Sequence, residues 1–182
     1  MKVIAIGGLP AVGKSTLMKG LKKKLKEEYG KLQIYKYGLV RGECYGKKVF
    51  IFGTYDRKFG GTDTLSMAVQ PNAEKFLKTM KDKEVIILYE GDRLFNSKFL
   101  THILDCGYDN EMYMLIAKPE ILEERHIQRG DSQSEQWKEG RKTKYKNIYE
   151  KLSREIILLH NEDFKTQSEN IDKIWQDLKN IT

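Results

Sequence analysis

The sequence at residues 8–15 is Gly8-Leu9-Pro10-Ala11-Val12-Gly13-Lys14-Ser15, which fills every position of the pattern G-x-x-x-x-G-K-[ST]. The glycines allow the backbone to wrap closely around an anion, because a Cβ atom would block that approach. We expect Lys14 to reach the β and γ phosphates of a nucleoside triphosphate and the Ser15 hydroxyl to bind Mg²⁺. The pattern predicts a binding site for ATP and Mg²⁺ formed by Gly8 to Thr16, with Lys14 also acting in catalysis. A preference for ATP over GTP stays open.

The segments on either side of this loop have the patterns that a phosphate-binding loop requires. Residues 3–6 form a short apolar, β-branched run that predicts a buried strand. Residues 16–29 predict a helix, because Leu17, Leu21 and Leu25 recur every four residues on one face. A strand, a glycine-containing turn and a helix in this order direct backbone N–H groups and the positive end of a helix dipole at a phosphate.

The composition fits one globular domain. The chain has 182 residues, of which 40% are hydrophobic and 32% charged, and we expect a single domain over 1–182. No apolar run approaches the length of a membrane span, no signal-peptide pattern is present, and the two cysteines predict neither a disulfide framework nor a zinc site. These features favour a cytoplasmic protein that needs no protein partner, in the host cytoplasm if it is encoded by a phage. The net charge of +7 is compatible with a polyanionic partner but is also common on solvated surfaces.

Strand and helix patterns alternate along the rest of the chain. Strands are predicted at residues 32–37, 49–52, 85–89 and 112–117. Helices are predicted at residues 71–80, after Asn96, after Pro119, from a capping box at 132–135 and from a second one at 166–169, while residues 156–159 fit either a helix or a last strand. This order predicts an α/β three-layer sandwich with a mainly parallel sheet, the fold of P-loop NTPases of the nucleoside and nucleotide kinase type, with ligands at the carboxyl ends of the strands.

Carboxylates follow two of the predicted strands. Glu90 and Asp92 come directly after the strand at 85–89, where P-loop proteins usually place an acidic residue for Mg²⁺, and the neighbouring Arg93 is a candidate for binding a phosphate. Asp56 and Asp63 follow the strand at 49–52, and either is a candidate base for an attacking hydroxyl. We favour Asp56, because Asp63 is also a candidate for capping the next helix.

A basic stretch near residues 125–146 predicts a helical lid. Arg125 and Arg129 are four residues apart, so they project from one face of a helix, and we expect both to bind the ATP phosphates and to act in catalysis. Gly130 and Gly140 bracket a segment that is able to close over the site and exclude water. A kinase needs such a lid because water would otherwise compete for the γ-phosphate.

Distinctive blocks of sequence resemble P-loop kinases of phages and mobile elements, and among them the 5-hydroxymethyluracil DNA kinases. The blocks are Gly53-x-Tyr55-Asp56, Phe59-x-Gly61-Thr62-Asp63-x-Leu65-Ser66-Met67-x-Val69-Gln70-Pro71, Glu90-Gly91-Asp92-Arg93-Leu94-Phe95, Arg129-Gly130-Asp131-x-Gln133 and Gly140-Arg141-x-Thr143-Lys144. The resemblance extends from the phosphate-binding loop to about Lys144. It implies transfer of the γ-phosphate of ATP to the hydroxymethyl group of the modified base in DNA.

If the acceptor is DNA, its target base would have to leave the duplex and be held by residues near the site. The residues that we expect to bind it are Tyr55, Arg57, Phe59, Thr62, Asp63, Arg93, Arg141 and Lys144, and Phe95 is a further candidate for stacking. Two alternatives stay open: a kinase acting on a free nucleoside or nucleotide, and a non-catalytic DNA-binding module controlled by nucleotide. A GTPase is disfavoured, because no Asn-Lys-x-Asp motif for reading guanine is present.

Overall fold

The computed structural model describes residues 1–55, 60–130 and 133–179. Its strands are β1 (Lys2–Gly8), β2 (Leu32–Tyr37), β3 (Val40–Tyr45), β4 (Val49–Phe52), β5 (Ile86–Glu90), β6 (Asp109–Ile116) and β7 (Ile156–His160). Its helices are α1 (Lys14–Tyr29), α2 (Gln70–Met80), α3 (Ser97–Asp105), α4 (Pro119–Gln128), α5 (Glu135–Leu152) and α6 (Phe164–Lys179), with a short 3-10 helix at Thr62–Thr64.

The described strands form one seven-stranded sheet in the order β2-β3-β4-β5-β1-β6-β7. The pairs β4–β5, β5–β1, β1–β6 and β6–β7 are parallel, whereas β2–β3 and β3–β4 are antiparallel. The predicted P-loop fold with a mainly parallel sheet is confirmed. Because β4, β5, β1, β6 and β7 pair in parallel, their carboxyl ends meet at one edge, which is where the loop at residues 8–15 begins.

Two hydrophobic cores lie on opposite faces of the sheet. Alternate residues of β1 face opposite sides, with Val3 and Ala5 in one core and Ile4 and Ile6 in the other. The first core includes side chains of α2, α3 and α5, and the second includes side chains of α1 and α6. All four β1 residues are essentially inaccessible to solvent, so the strand that carries the phosphate-binding loop is held from both faces.

Several predicted element boundaries need correction. Residues 156–159 lie in the last strand, because they pair in parallel with β6. Helix α5 begins after Ser134, whose side chain accepts a hydrogen bond from the Trp137 N–H; the predicted cap Ser132 lies outside the described residues. Helix α6 begins two residues before the predicted cap Thr166, and the Asp163 side chain accepts a hydrogen bond from the Thr166 N–H instead. Strand β3 was not assigned from the sequence, in which Gly38, Gly42 and Gly46 suggest turns or a hairpin.

Candidate active site

The loop from Gly8 to Ser15 curves tightly between β1 and α1. Gly8 and Gly13 have φ angles of 139° and 99°, in the region that disfavours side chains. A Cβ atom on Gly8 would lie 2.5 Å from the Leu115 carbonyl oxygen, and one on Gly13 would lie 2.4 Å from Asn161 Nδ2. Both glycines are therefore required by backbone angle and by the close approach of their neighbours.

The functional groups of this loop lie at the site edge of the sheet. Lys14 Nζ donates hydrogen bonds to the carbonyl oxygens of Gly8 (2.7 Å) and Leu9 (3.0 Å), which places the ammonium group across the loop. Ser15 and Thr16 are exposed in the first turn of α1. An exposed hydroxyl beside a lysine at a helix N-terminus fits the predicted phosphate and metal chemistry.

Glu90 ends β5 beside the loop and is 2% exposed. Burial raises the pKa of its carboxyl to about 7, against the opposing effect of the nearby Lys14 ammonium; the Asp63 carboxylate adds to the increase. The Tyr55 hydroxyl donates a hydrogen bond to Glu90 Oε1 (3.4 Å). This buried carboxyl beside Lys14 is the acidic group best placed to face a metal bound at Ser15.

Asp63 lies in the 3-10 helix that follows β4, and it comes close to the end of β5. A Cβ atom on Gly91 would lie 2.8 Å from Thr62 Oγ1 and 3.4 Å from Asp63 Oδ1, so the two sequence blocks touch. Although Asp63 is exposed at the mouth of the site, desolvation and the Asp92 carboxylate raise its pKa, while Lys14 and Arg93 oppose that increase. Asp63 does not cap α2, which begins at Gln70 after Val69.

The Asp92 carboxylate is paired with side chains of helix α5. Arg141 Nη1 lies 2.6 Å from Asp92 Oδ2, and Lys144 Nζ lies 3.7 Å from Oδ1 and donates to the Asp92 backbone oxygen at 2.8 Å. The Tyr145 hydroxyl also donates to Asp92 Oδ1. The Asp92 carboxylate thus attaches α5 to the site, and its role as a metal ligand stays a prediction. Arg141 and Lys144, predicted to bind substrate, reach the site through this carboxylate.

Arg93 also lies in the site. It is half-buried, it is near enough to Asp63 to lower the pKa of that carboxyl, and its Nε has no hydrogen-bond partner within the described residues. A guanidinium group with a buried, unpartnered N–H beside a candidate base fits its predicted role in binding the acceptor.

Three predicted acceptor-binding residues are engaged elsewhere. The Tyr55 ring lies under Lys22 Nζ (4.5 Å to the centroid) and its N–H donates to Glu43 Oε1, so Tyr55 supports Glu90 and is not a free stacking surface. Phe95 is inaccessible to solvent and stacks on Tyr145. Thr62 is also inaccessible, beneath Gly91. Asp56, Arg57 and Phe59 lie outside the described residues.

The two lid arginines have different surroundings. Arg125 Nη1 and Nη2 donate to the backbone oxygens of Asn161 (2.9 Å) and Glu162 (2.8 Å), and Nη1 also lies 3.4 Å from the Val12 oxygen. Arg125 is thus bound to backbone oxygens around the loop, and its role in binding the ATP phosphates stays a prediction. Arg129 is exposed at the C-terminus of α4.

The region predicted as a helical lid contains the end of α4 and the first part of α5. Gly130, with φ 59°, ends α4, but Gly140 lies inside α5. A cavity of about 620 Å³ separates Leu9 and Pro10 of the phosphate-binding loop from α4 and the first half of α5. Lys138 and Lys142 line this cavity and pair with glutamates of α4 and α5, so their charges are already partly neutralised.

Buried amides that the sequence analysis did not single out support the loop from behind. Asn161 is 1% exposed, and its Nδ2 donates to the Val12 oxygen at 2.7 Å. Asn170 Nδ2 donates to the oxygen of His160 (2.8 Å) and lies 3.4 Å from Asn161 Oδ1, and Gln167 Nε2 lies 3.4 Å from the Gly13 oxygen. No sequence motif marks these residues; an asparagine directly after a strand is the one available signal.

The donor set fits a magnesium ion that is held mainly by the nucleotide. Among the described residues, no group of three or more histidine, cysteine, aspartate or glutamate side chains forms a metal cluster. Ser15 and Glu90 remain as the residues suited to Mg²⁺, which commonly keeps several waters and binds one or two carboxylates together with substrate phosphates. Within the same residues, every helix is too short or too polar to cross a membrane.

Several solved structures are similar to the chain at low sequence identity. Shikimate kinase from Bacteroides thetaiotaomicron is 13% identical, with a TM-score of 0.43, covering 97% of this chain and 98% of that one. An uncharacterized protein from Eubacterium ventriosum is 14% identical, with a TM-score of 0.47, covering 99% of both chains. Deoxyadenosine kinase from M. mycoides with bound dATP is 17% identical, with a TM-score of 0.44, covering 98% of this chain and 100% of that one.

The comparison with curated proteins gives no match. A comparison with family models gives a match that covers almost the whole sequence. The matching model is that of P-loop Nucleotide Kinase3, over residues 1–181. The match includes the phosphate-binding loop, the carboxylates after β4 and β5, and helix α5. The chain therefore belongs to the P-loop Nucleotide Kinase3 family.

Proposed function

We propose that this protein transfers the γ-phosphoryl group of ATP to the hydroxymethyl group of 5-hydroxymethyluracil in DNA. One observation supports it above the others: the distinctive block around Thr62 and Asp63 packs directly against Gly91, next to Glu90 and Lys14. Two blocks almost thirty residues apart thus converge beside the phosphate-binding loop. These are the blocks through which the sequence resembles the DNA base kinases.

The proposed chemistry uses Asp63 as the base. The hydroxymethyl oxygen attacks the γ-phosphorus while its proton passes to the Asp63 carboxylate. A P–O bond forms to the hydroxymethyl oxygen, and the bond from the γ-phosphorus to the β,γ-bridging oxygen breaks, which releases ADP. Lys14 stabilises the charge on the transferring group, since such reactions depend mainly on positioning and electrostatics. Asp56, which was favoured from the sequence and lies outside the described residues, is the alternative base.

The metal requirement follows from the same groups. Ser15 and Glu90 are the residues that would hold Mg²⁺, which neutralises negative charge on the transferring phosphate. Glu90 would bind as the carboxylate, and its pKa of about 7 means that an adjacent cation would favour the ionised form.

A DNA acceptor is consistent with the charge of the chain. The net charge of +7 favours association with a phosphate backbone, and this contribution weakens as salt rises. Several cations of α5 are paired with carboxylates, including Lys138, Lys142 and Lys146. Lys36, Lys47 and Lys48 are exposed, and we propose that some of them contact the DNA backbone.

The test is transfer of labelled γ-phosphate, with Mg²⁺, to two acceptors assayed in parallel. One is duplex DNA containing 5-hydroxymethyluracil, with a matched thymine duplex as control, and the other is a mixture of free nucleosides and nucleotides. Label on the modified duplex and not on the thymine duplex is the expected result. Label on a small molecule alone would retain the kinase chemistry and reject the DNA acceptor. Transfer to neither would contradict the proposal.

A further inference from the structure

We infer that Trp137 forms the stacking surface for the acceptor base. This inference rests on the proposed function, because it assigns a residue to the recognition of that acceptor. A base removed from a duplex loses its stacking partners, and enzymes that act on such bases commonly replace them with aromatic side chains. The site therefore needs an aromatic group near Asp63 and Asp92 with an accessible face.

The position of Trp137 is fixed by a chain of contacts that leads to the candidate base. It lies in the first turn of α5, where its N–H is bonded to the cap Ser134, and the Arg141 guanidinium lies 5.0 Å from its ring centroid. Arg141 in turn pairs with Asp92 at 2.6 Å, and Asp92 is close enough to Asp63 to raise its pKa. The indole is thus held on the side of α5 that faces the carboxylates.

Trp137 has no role in either hydrophobic core. Within the described residues, neither core cluster includes it, although it is one of the two largest aromatic side chains in the sequence. The other tryptophan, Trp175, is 9% exposed and belongs to the core between the sheet and α6. A half-exposed indole that makes a cation–π contact, and no core contact, is available to a ligand.

The other aromatic candidates are less suitable. Tyr55 and Phe95 are occupied beneath the site, as described above. Of the remaining described aromatic side chains, two lie outside the core clusters: Tyr37, which contacts Phe76 on the hairpin side of the sheet, and Phe164, which begins α6 after β7. Phe164 follows β7 at one end of the sheet, whereas Asp92 follows β5 on the other side of β1. Trp137 is therefore the aromatic side chain that best fits the acceptor side.

The arrangement also explains how a single indole is able to act as a rigid surface. The Arg141 guanidinium covers one face of the ring, and its ion pair with Asp92 fixes the guanidinium. The opposite face is left for a pyrimidine. Stacking of one base on one aromatic side chain contributes enough binding energy to change affinity by roughly tenfold to a hundredfold.

The kinetic test compares Trp137→Ala, Trp137→Phe and the unaltered chain. We expect Trp137→Ala to raise KM for the 5-hydroxymethyluracil duplex by about tenfold or more, with KM for ATP unchanged within about twofold, and Trp137→Phe to recover most of the loss. Rescue by phenylalanine separates stacking from a general defect in folding. A fall in kcat at unchanged duplex KM would overturn the inference.

A spectroscopic test uses the fact that the chain has two tryptophans. The variant Trp175→Phe leaves Trp137 as the single indole, so its emission reports on the proposed surface directly. Adding the modified duplex should quench this emission, and the matched thymine duplex should quench it less. Absence of quenching by the modified duplex would overturn the inference.

Failure of this inference is distinguishable from failure of the proposed function. Transfer to DNA with an unchanged duplex KM in Trp137→Ala would reject the stacking role and retain the DNA kinase. Transfer to a free nucleoside alone, with KM for that nucleoside raised in Trp137→Ala, would retain the stacking role and reject the DNA acceptor. A nucleoside KM that does not change would reject both.

Discussion

The two sides of the phosphate-binding loop are built from different chemistry. On the β5 side lie ionisable groups, namely Glu90, Asp63 and Asp92, with Arg93 and the cations of α5 around them. On the β7 side, neutral amides and backbone oxygens carry the contacts, through Asn161 and Asn170. Arg125, a cation on this side, binds backbone oxygens.

We expect the ionisable groups beside β5 to take part in the reaction and the amides beside β7 to hold the phosphate-binding loop in shape. Neutral amides hold a loop of fixed shape without adding charge that would compete with a phosphate, because a satisfied buried amide has no net charge. A neighbouring carboxylate raises the pKa of an ionisable group, as Asp92 does for Asp63, and such groups are typical of sites where protons move. We therefore expect substitutions on the β5 side to change turnover and those on the β7 side to change nucleotide affinity and stability.

We expect the largest effect on turnover from substitution of Lys14, which lies in the loop between the two sides. Lys14→Ala removes the charge nearest the transferring phosphate, and we expect turnover to fall by about a thousandfold. Lys14→Arg is the matched control for charge, and it should also be severely impaired, because a planar guanidinium does not fit between the oxygens of Gly8 and Leu9. The measurement is single-turnover transfer of labelled phosphate. Activity within tenfold of the unaltered protein would contradict the assigned role.

The next effect tests the β5 side. Asp63→Asn keeps the size of the side chain and removes its basicity, so turnover should fall by about a hundredfold or more while KM for ATP changes little. Asp56→Asn is the paired variant, measured under the same conditions with the preferred acceptor. A larger loss in Asp56→Asn than in Asp63→Asn would return the role of base to Asp56.

Local patterns predicted most of the fold. The apolar run before Gly8, the leucine spacing in α1 and the prolines that begin α2 and α4 each depend on residues close together in sequence. Strand β3 was missed because its sequence contains Gly42 and Glu43, which disfavour a buried strand when considered locally. In the structure, Gly42 allows a close approach to the Ile51 oxygen, and Glu43 pairs with Lys22 of α1 at 2.8 Å. Both reasons are long-range contacts.

The site was predicted less completely for the same reason. The loop motif and the carboxylates after β4 and β5 follow from position in a parallel sheet, so Lys14, Asp63 and Glu90 were predicted as site residues from sequence. The positions of Asn161 and Trp137 depend on how β7 and α5 pack beside the loop. The ion pair between Asp92 and Arg141, almost fifty residues later, has no signal in the sequence.

Substitution of the two buried asparagines tests the role of the β7 side. Asn161→Ala removes the shorter of the two hydrogen bonds that the Val12 oxygen accepts, and we expect KM for ATP to rise by about tenfold and the free energy of unfolding to fall by about 1–3 kcal/mol. Asn170→Ala is the control, because Asn170 contacts the same network but not the loop. It should lower stability with little change in KM for ATP. Equal changes in KM would show that Asn161 does not support the loop specifically.

The smallest effect separates the two lid arginines. Arg125→Ala removes hydrogen bonds to the Asn161 and Glu162 oxygens, and we expect the free energy of unfolding to fall by about 1 kcal/mol, which lowers Tm by about 2–4 °C in a chain of this size. Arg129→Ala, at an exposed position on the same helix, should leave Tm unchanged. Thermal denaturation with and without ATP measures both. If Arg125 instead acted as a free phosphate clamp, Arg125→Ala would keep the ligand-free Tm and lose only the increase produced by ATP, and the β7 side would then share the charged chemistry of the β5 side.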